Sequence, residues 1–136
     1  MTNTNTLTHT PVSLLALHQQ DPRKLDALAA EVVMGRIDVN SSKPQASYDE
    51  NGYPMYYNNG FLNSFMPSTD LNHAALLEAR LAERGLSRRL NAALFYDVLD
   101  VSPVDDNYEF NEDAVDKAIH ATAADRTIAA ILASQE

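Results

Sequence analysis

The residues with the most chemical potential are the carboxylates of the stretch running from Asp97 to Asp116. They are Asp97, Asp100, Asp105, Asp106, Glu109, Glu112, Asp113 and Asp116. Asp105, Asn107 and Glu109 stand at positions one, three and five of a calcium-binding loop. Position six would be Phe110, where the sharp turn of such a loop needs glycine. Position twelve would be Asp116 rather than a bidentate glutamate. Helix-start carboxylates and a solvated loop account for this run better than a metal does.

The four histidines, His9, His18, His73 and His120, are far apart, and none has a partner at a zinc-binding spacing. Asp116 and His120 are four residues apart, a spacing that supports a helix. No glycine-rich phosphate loop and no Gly-x-Ser-x-Gly elbow is present. With no cysteine, disulfides, thiolate metal sites and thiol nucleophiles are excluded. Nothing converges as a base, nucleophile or metal site must, so the expectation is a protein that is not an enzyme and needs no cofactor.

Binding is the stronger theme. Tyr48–Phe65 holds four of the six tyrosines and two of the four glycines. Tyrosine offers broad contact area at low entropic cost, and asparagine offers adaptable hydrogen bonds. Arg80, Arg84, Arg88 and Arg89 form the one dense positive cluster. They read either as compensation for a helix end or as an anion contact. The net charge of −9 speaks against broad contact with nucleic acid and leaves room for a basic protein partner.

The positioning elements follow from pattern and punctuation. Met1–Thr10 is a polar tail. Thr10-Pro11 starts a short helix to about Gln20, with Val12, Leu15 and Ala16 on one face. Asp21-Pro22 starts a second, in which Leu25, Leu28, Ala29, Val32 and Val33 form an apolar stripe ended by Gly35. Arg36–Asn40 alternates as a strand would. Asn58-Asn59-Gly60 is a turn between Met55–Tyr57 and Phe61–Phe65, which can pair as a hairpin. Ser68 or Thr69 caps a helix carrying Leu71, Ala74, Ala75, Leu77 and Leu81, closed by Gly85. Leu90–Val101 satisfies either a buried strand or a helix. Tyr108–Phe110 reads as a short strand. Asn111–Glu136 lacks glycine and proline and reads as one long helix or two collinear ones, with Val115, Ile119, Ile128, Ile131 and Leu132 inward. No apolar run reaches the ~18 residues of a membrane span, and the first ten residues lack the pattern of a signal peptide.

The order helix, Met34-Gly35, aromatic loop, Pro67-Ser68-Thr69-Asp70, helix and alanine-rich final helix resembles the phage ABA sandwich domain, a family of small bacteriophage and prophage proteins. The resemblance is carried by Leu25–Gly35, by Ser68-Thr69-Asp70 with Ala74, and by Ile128–Ala133, and covers about residues 25–134. Where the family often has Trp or Lys after Met-Gly, this chain has Arg36-Ile37, and it lacks the cysteine often found in the final helix. The resemblance implies an α+β fold, a small sheet with helices packed on it in an α/β/α sandwich, and no particular chemistry. The expected organisation is a tail and short helix over 1–20 and one domain over 21–136.

The leading functional expectation is a phage accessory protein in the host cytoplasm that sequesters a nucleotide-like signal to counter antiviral defence. Tyr56, Tyr57, Asn58 and Phe61 would stack on and hydrogen-bond a base, and Arg88 and Arg89 would meet phosphate, in a homo-oligomer that builds pockets between protomers. The alternative is an acidic inhibitor whose Asp97–Asp116 segment engages a basic host protein. Neither reading involves a membrane or direct contact with nucleic acid.

Overall fold

A computed structural model describes residues 9–35, 48–58, 61–104 and 106–135, with the side chains of 56–58 and 61–63 outside that description. The described elements are helices α1 (Pro11–Gln20), α2 (Pro22–Val32), α3 (Leu71–Glu83), α4 (Ser87–Ala92), α5 (Glu112–Ile119) and α6 (Ala123–Ser134). Strands β1 (Met55–Asn58) and β2 (Phe61–Ser64) complete them, together with a π-helical turn over Ala93–Val98. The α/β/α sandwich is therefore not formed. The described residues are mostly helical, and their strands make a single antiparallel hairpin in which Met55 faces Ser64 and Asn58 faces Phe61. A two-stranded ribbon has too little area for helices to pack on as layers. The core is helix on helix instead.

Its centre is α6. Thr127, Ala129, Ala130 and Ile131 are fully buried there, and the helix packs against α1, α2, α3, α4 and the π turn. The alanines allow this, since small side chains let several neighbours approach one axis. Leu14, Leu25, Val33, Phe65, Leu77 and Leu81 fill the space around it. Burying each such side chain contributes roughly 1.5–3 kcal/mol.

Local chemistry sets most of the helix starts. Thr10 and Ser13 form a capping box before α1, and the Asp21 carboxylate accepts from the Arg23 N–H to cap α2. Asp70, rather than Ser68 or Thr69, caps α3, accepting from the Asn72 and His73 N–H groups. At the end of α3 Gly85 takes φ +74, and the Leu86 N–H reaches the Leu81 carbonyl at 2.8 Å, closing a Schellman motif. Gly35 likewise takes φ +63 just beyond α2.

Leu90–Val101 is helical: α4 runs into the π turn, where the Leu99 N–H bonds the Leu94 carbonyl five residues back at 2.9 Å. That wider closure brings Leu94 and Leu99 to the same side. Tyr108–Phe110 is not a strand, since only a single bridge pairs Phe110 with Val104. The C-terminal region is two helices separated at His120–Thr122, because Thr122 and Asp125 form a capping box that restarts the chain without glycine or proline. On α1 the inward residue is Leu14, while Val12 and Leu15 face outward. Ile119 on α5 is also exposed. The strand expected over Arg36–Asn40 lies outside the described residues. Among the described residues, no helix is long and apolar enough to cross a membrane.

Candidate binding surface

The hairpin is tied down at its base. Asp49 Oδ1 accepts from the Asn51 and Tyr53 N–H groups at 2.8 and 2.9 Å, and its Oδ2 takes the Ser64 hydroxyl. The Ser64 hydroxyl first, and then the Tyr53 N–H, hold the Asp49 carboxyl below its ordinary range. Arg23 connects this turn to α2. Its Nε and Nη2 hold Asp21 at 2.9 and 2.8 Å, and its Nη1 donates to the Asn51 carbonyl at 2.7 Å. That side-chain bond to Arg23 depresses the Asp21 carboxyl. Gly52 takes φ +86, a backbone that favours glycine, and a Cβ there would stand 3.2 Å from Arg23 Nη1, which would have to give by a few tenths of an ångström. On the other side Phe65 stacks on His73 with ring centroids 5.8 Å apart, and His73 Nδ1 accepts from the Met66 N–H at 2.9 Å.

These anchors place the hairpin base at the N-terminal ends of α2 and α3. The arginines occupy the other end. Arg84 donates to the Val32 and Val33 carbonyls at the C-terminus of α2, both at 3.3 Å. Arg89 donates to the Gln135 carbonyl beyond the C-terminus of α6 at 2.9 Å. Both meet the negative ends of neighbouring helices rather than the end of α3 itself. Arg88 is exposed. Along α3 alone, thirteen residues at 1.5 Å rise put about 20 Å between the hairpin base and the segment carrying Arg88 and Arg89. Tyr56, Tyr57, Asn58 and Phe61 lie on the two paired strands, and their side chains are outside the described set.

The acidic segment has a feature that pattern alone did not reveal. Between the π turn and α5 the chain makes a closed excursion. The Val101 N–H bonds the Phe95 carbonyl at 2.8 Å, the Asn111 N–H bonds the Pro103 carbonyl at 3.0 Å, and Asn111 Nδ2 bonds the Ser102 carbonyl at 2.9 Å. Asn111 Oδ1 meanwhile accepts from the Ala114 N–H to start α5. One side chain thus closes the loop and caps the helix. From this loop Tyr108 projects with 90% of its surface exposed, and Phe110 with 72%. Tyr108 also takes φ +62 and Asp100 φ +54. A left-handed backbone is costly for an aromatic residue, and Tyr108, being exposed, gains little packing in return. Along the same segment of sequence Asp97, Asp100, Asp106, Glu112, Asp113 and Asp116 are exposed, and no lysine or arginine lies between Asp97 and Asp116.

A strand over Tyr108–Phe110 would pair these rings into a sheet, whereas the loop leaves them exposed. The signal that could have revealed the loop is Asn111, a helix cap one residue after Phe110, which leaves no length for a strand with a partner.

Among the described residues, no group of three or more His, Asp or Glu is arranged to hold a metal ion. Asp105, the first position of the calcium reading, lies outside them. His120 caps α5, its Nδ1 lying 2.8 Å from the Asp116 carbonyl. No protein-family model, curated protein or solved structure matches this chain.

Proposed function

We propose that this chain is a non-enzymatic binding protein that docks its acidic, aromatic-tipped loop, Asp100–Asn111 with the end of the π turn and the start of α5, onto a basic protein surface. The observation that carries the reading is Tyr108: an aromatic side chain 90% exposed on a left-handed backbone, next to exposed Phe110, inside a run of carboxylates. Exposed aromatics ringed by polar groups have the make-up of an interface centre with its rim. Carboxylates on both sides steer a positively charged partner and repel nucleic acid. The phage resemblance would make that partner a host protein, such as one that normally grips nucleic acid.

The nucleotide-sequestering reading needs the hairpin aromatics and Arg88–Arg89 around one ligand. Within one chain their backbones are anchored at opposite ends of α2 and α3, so that reading needs a second protomer to complete the pocket, whereas the acidic loop presents its rings and carboxylates from a single chain.

Affinity capture from host lysate with wild-type protein and the variants Tyr108→Ser and Phe110→Ser, at low and high salt, tests the reading. A captured basic protein should be lost with either variant and released as salt rises. Capture that ignores both the substitutions and salt would overturn it.

A further inference from the structure

A recess lies between α1, the π turn and α6. Its walls are Val12 and Leu15 of α1, Val98 of the π turn and Ile128 of α6, and Asp97 and Asp125 stand on its lining. The volume is about 250 Å³. That falls just under the ~300–1,000 Å³ of sites for drug-sized ligands, so it suits a group the size of one side chain. Val12 is 78% exposed, an uncovered apolar residue at the mouth of the recess. Asp97 has no hydrogen-bond or ion-pair partner among the described residues. Asp125 spends only Oδ2, on the Thr122 N–H at 3.1 Å. No cationic side chain lines the recess. Asp97 and Val98 are placed there by the π-helical closure, a device that proteins often keep where they bind something.

We infer that this recess is a socket for an alkyl cation, the lysine or arginine side chain of the basic partner, with the aliphatic stem against Val12, Leu15, Val98 and Ile128 and the charged head between Asp97 and Asp125. Long basic side chains have this division, an apolar stem and a polar tip. A nucleotide is excluded by both size and sign, and a neutral apolar group would leave the two carboxylates unmatched. The inference deepens the docking reading and rests on it for the source of the cation.

Methyl and amide NMR titration of the full chain with butylguanidinium and butylammonium, and with neutral butylurea as the control, tests it. The cations should give saturable shifts at Val12, Leu15, Val98 and Ile128, with butylurea much weaker. Asp97→Asn, at an exposed position, should weaken the cations roughly two- to five-fold, as for a solvent-facing ion pair. Absence of shifts, equal response to butylurea, or indifference to Asp97→Asn would overturn the socket. Tyr108→Ser should leave this titration unchanged. If the probes fail to bind while Tyr108-dependent capture persists, the socket alone is wrong. If they bind while capture ignores Tyr108, the docking reading is the one that falls.

Discussion

Asp26 and Ser68 are 42 residues apart in sequence and meet in the interior, where Asp26 Oδ1 accepts from the Ser68 N–H at 2.8 Å. Both are buried. The bond holds the turn that enters α3 against α2, so it fixes the end of the molecule where the hairpin is anchored. Asp26 Oδ2 and the Ser68 hydroxyl are buried without hydrogen-bond partners among the described residues. Burial is accordingly the main cause that raises the Asp26 carboxyl from 3.8 to about 6, partly offset by the Ser68 N–H.

This raised value has a pH signature. Between pH 3.8 and about 6 the folded chain keeps a proton that the unfolded chain releases. Stability is therefore fully present below that window and falls as pH rises through it, by up to about 3 kcal/mol. Asp21 and Asp49 act in the opposite direction and at lower pH. Their depressed carboxyls stabilise above 3.8 and lose that contribution as pH falls below it. Asp26→Asn keeps an acceptor for Ser68 and adds a donor for its hydroxyl. Urea unfolding should show the decline between pH 4 and 6 abolished, and the variant more stable than wild type at pH 8 by about 1–3 kcal/mol. A less stable variant at pH 8 would show that the charge is matched in a way this geometry does not contain.

Removing bulk from α6 should be felt throughout the bundle. Ile131 is fully buried on the helix that packs against α1, α2, α3, α4 and the π turn. Ile131→Ala should cost about 2–5 kcal/mol, and Thr122→Ala, which removes the capping box, about 1 kcal/mol. Thermal denaturation checks both, with Thr122→Ser expected to restore most of the cap. Equal small losses for Ile131→Ala and for an exposed control such as Val12→Ala would contradict a core centred on α6.

Tyr108→Gly should separate stability from function. Glycine adopts φ +62 freely, so relief of left-handed strain, less the entropy that glycine loses on folding, should raise stability by about 0.5–1 kcal/mol. Partner capture should fall at the same time. A destabilised Tyr108→Gly protein, measured by chemical denaturation, would mean that the ring contributes to folding rather than to recognition.

Gly52→Ala should loosen the hairpin anchor. The new Cβ meets Arg23 Nη1 at 3.2 Å and the backbone is at φ +86, so about 1–2 kcal/mol should be lost. Amide exchange should quicken first at Tyr53–Met55 and Ser64–Phe65, while α6 stays protected. Uniform loss of protection would show that the hairpin and the bundle unfold as one unit.

Local features are legible from the residues alone. Thr10-Pro11, Asp21-Pro22, Gly35, Gly85 and the 3.6-residue spacing of Leu25, Ala29 and Val33 act within a few residues, through capping groups and left-handed glycines, so their outcome is legible without the rest of the chain. The hairpin, read from Asn58-Asn59-Gly60 between two aromatic runs, is equally local. Which partners those elements find depends on long-range packing. Leu90–Val101 suits a strand or a helix by pattern, and it became α4 and a π turn because Leu90, Ala93 and Leu94 pack beside α6. The α/β/α sandwich failed for the same reason, since α6, rich in alanine, lets four helices close around one axis. Exposure is decided last of all. Tyr108 and Phe110 carry the same apolar surface that any core aromatic does, and no core element packs over the loop that Asn111 closes, so among the described residues both stay exposed.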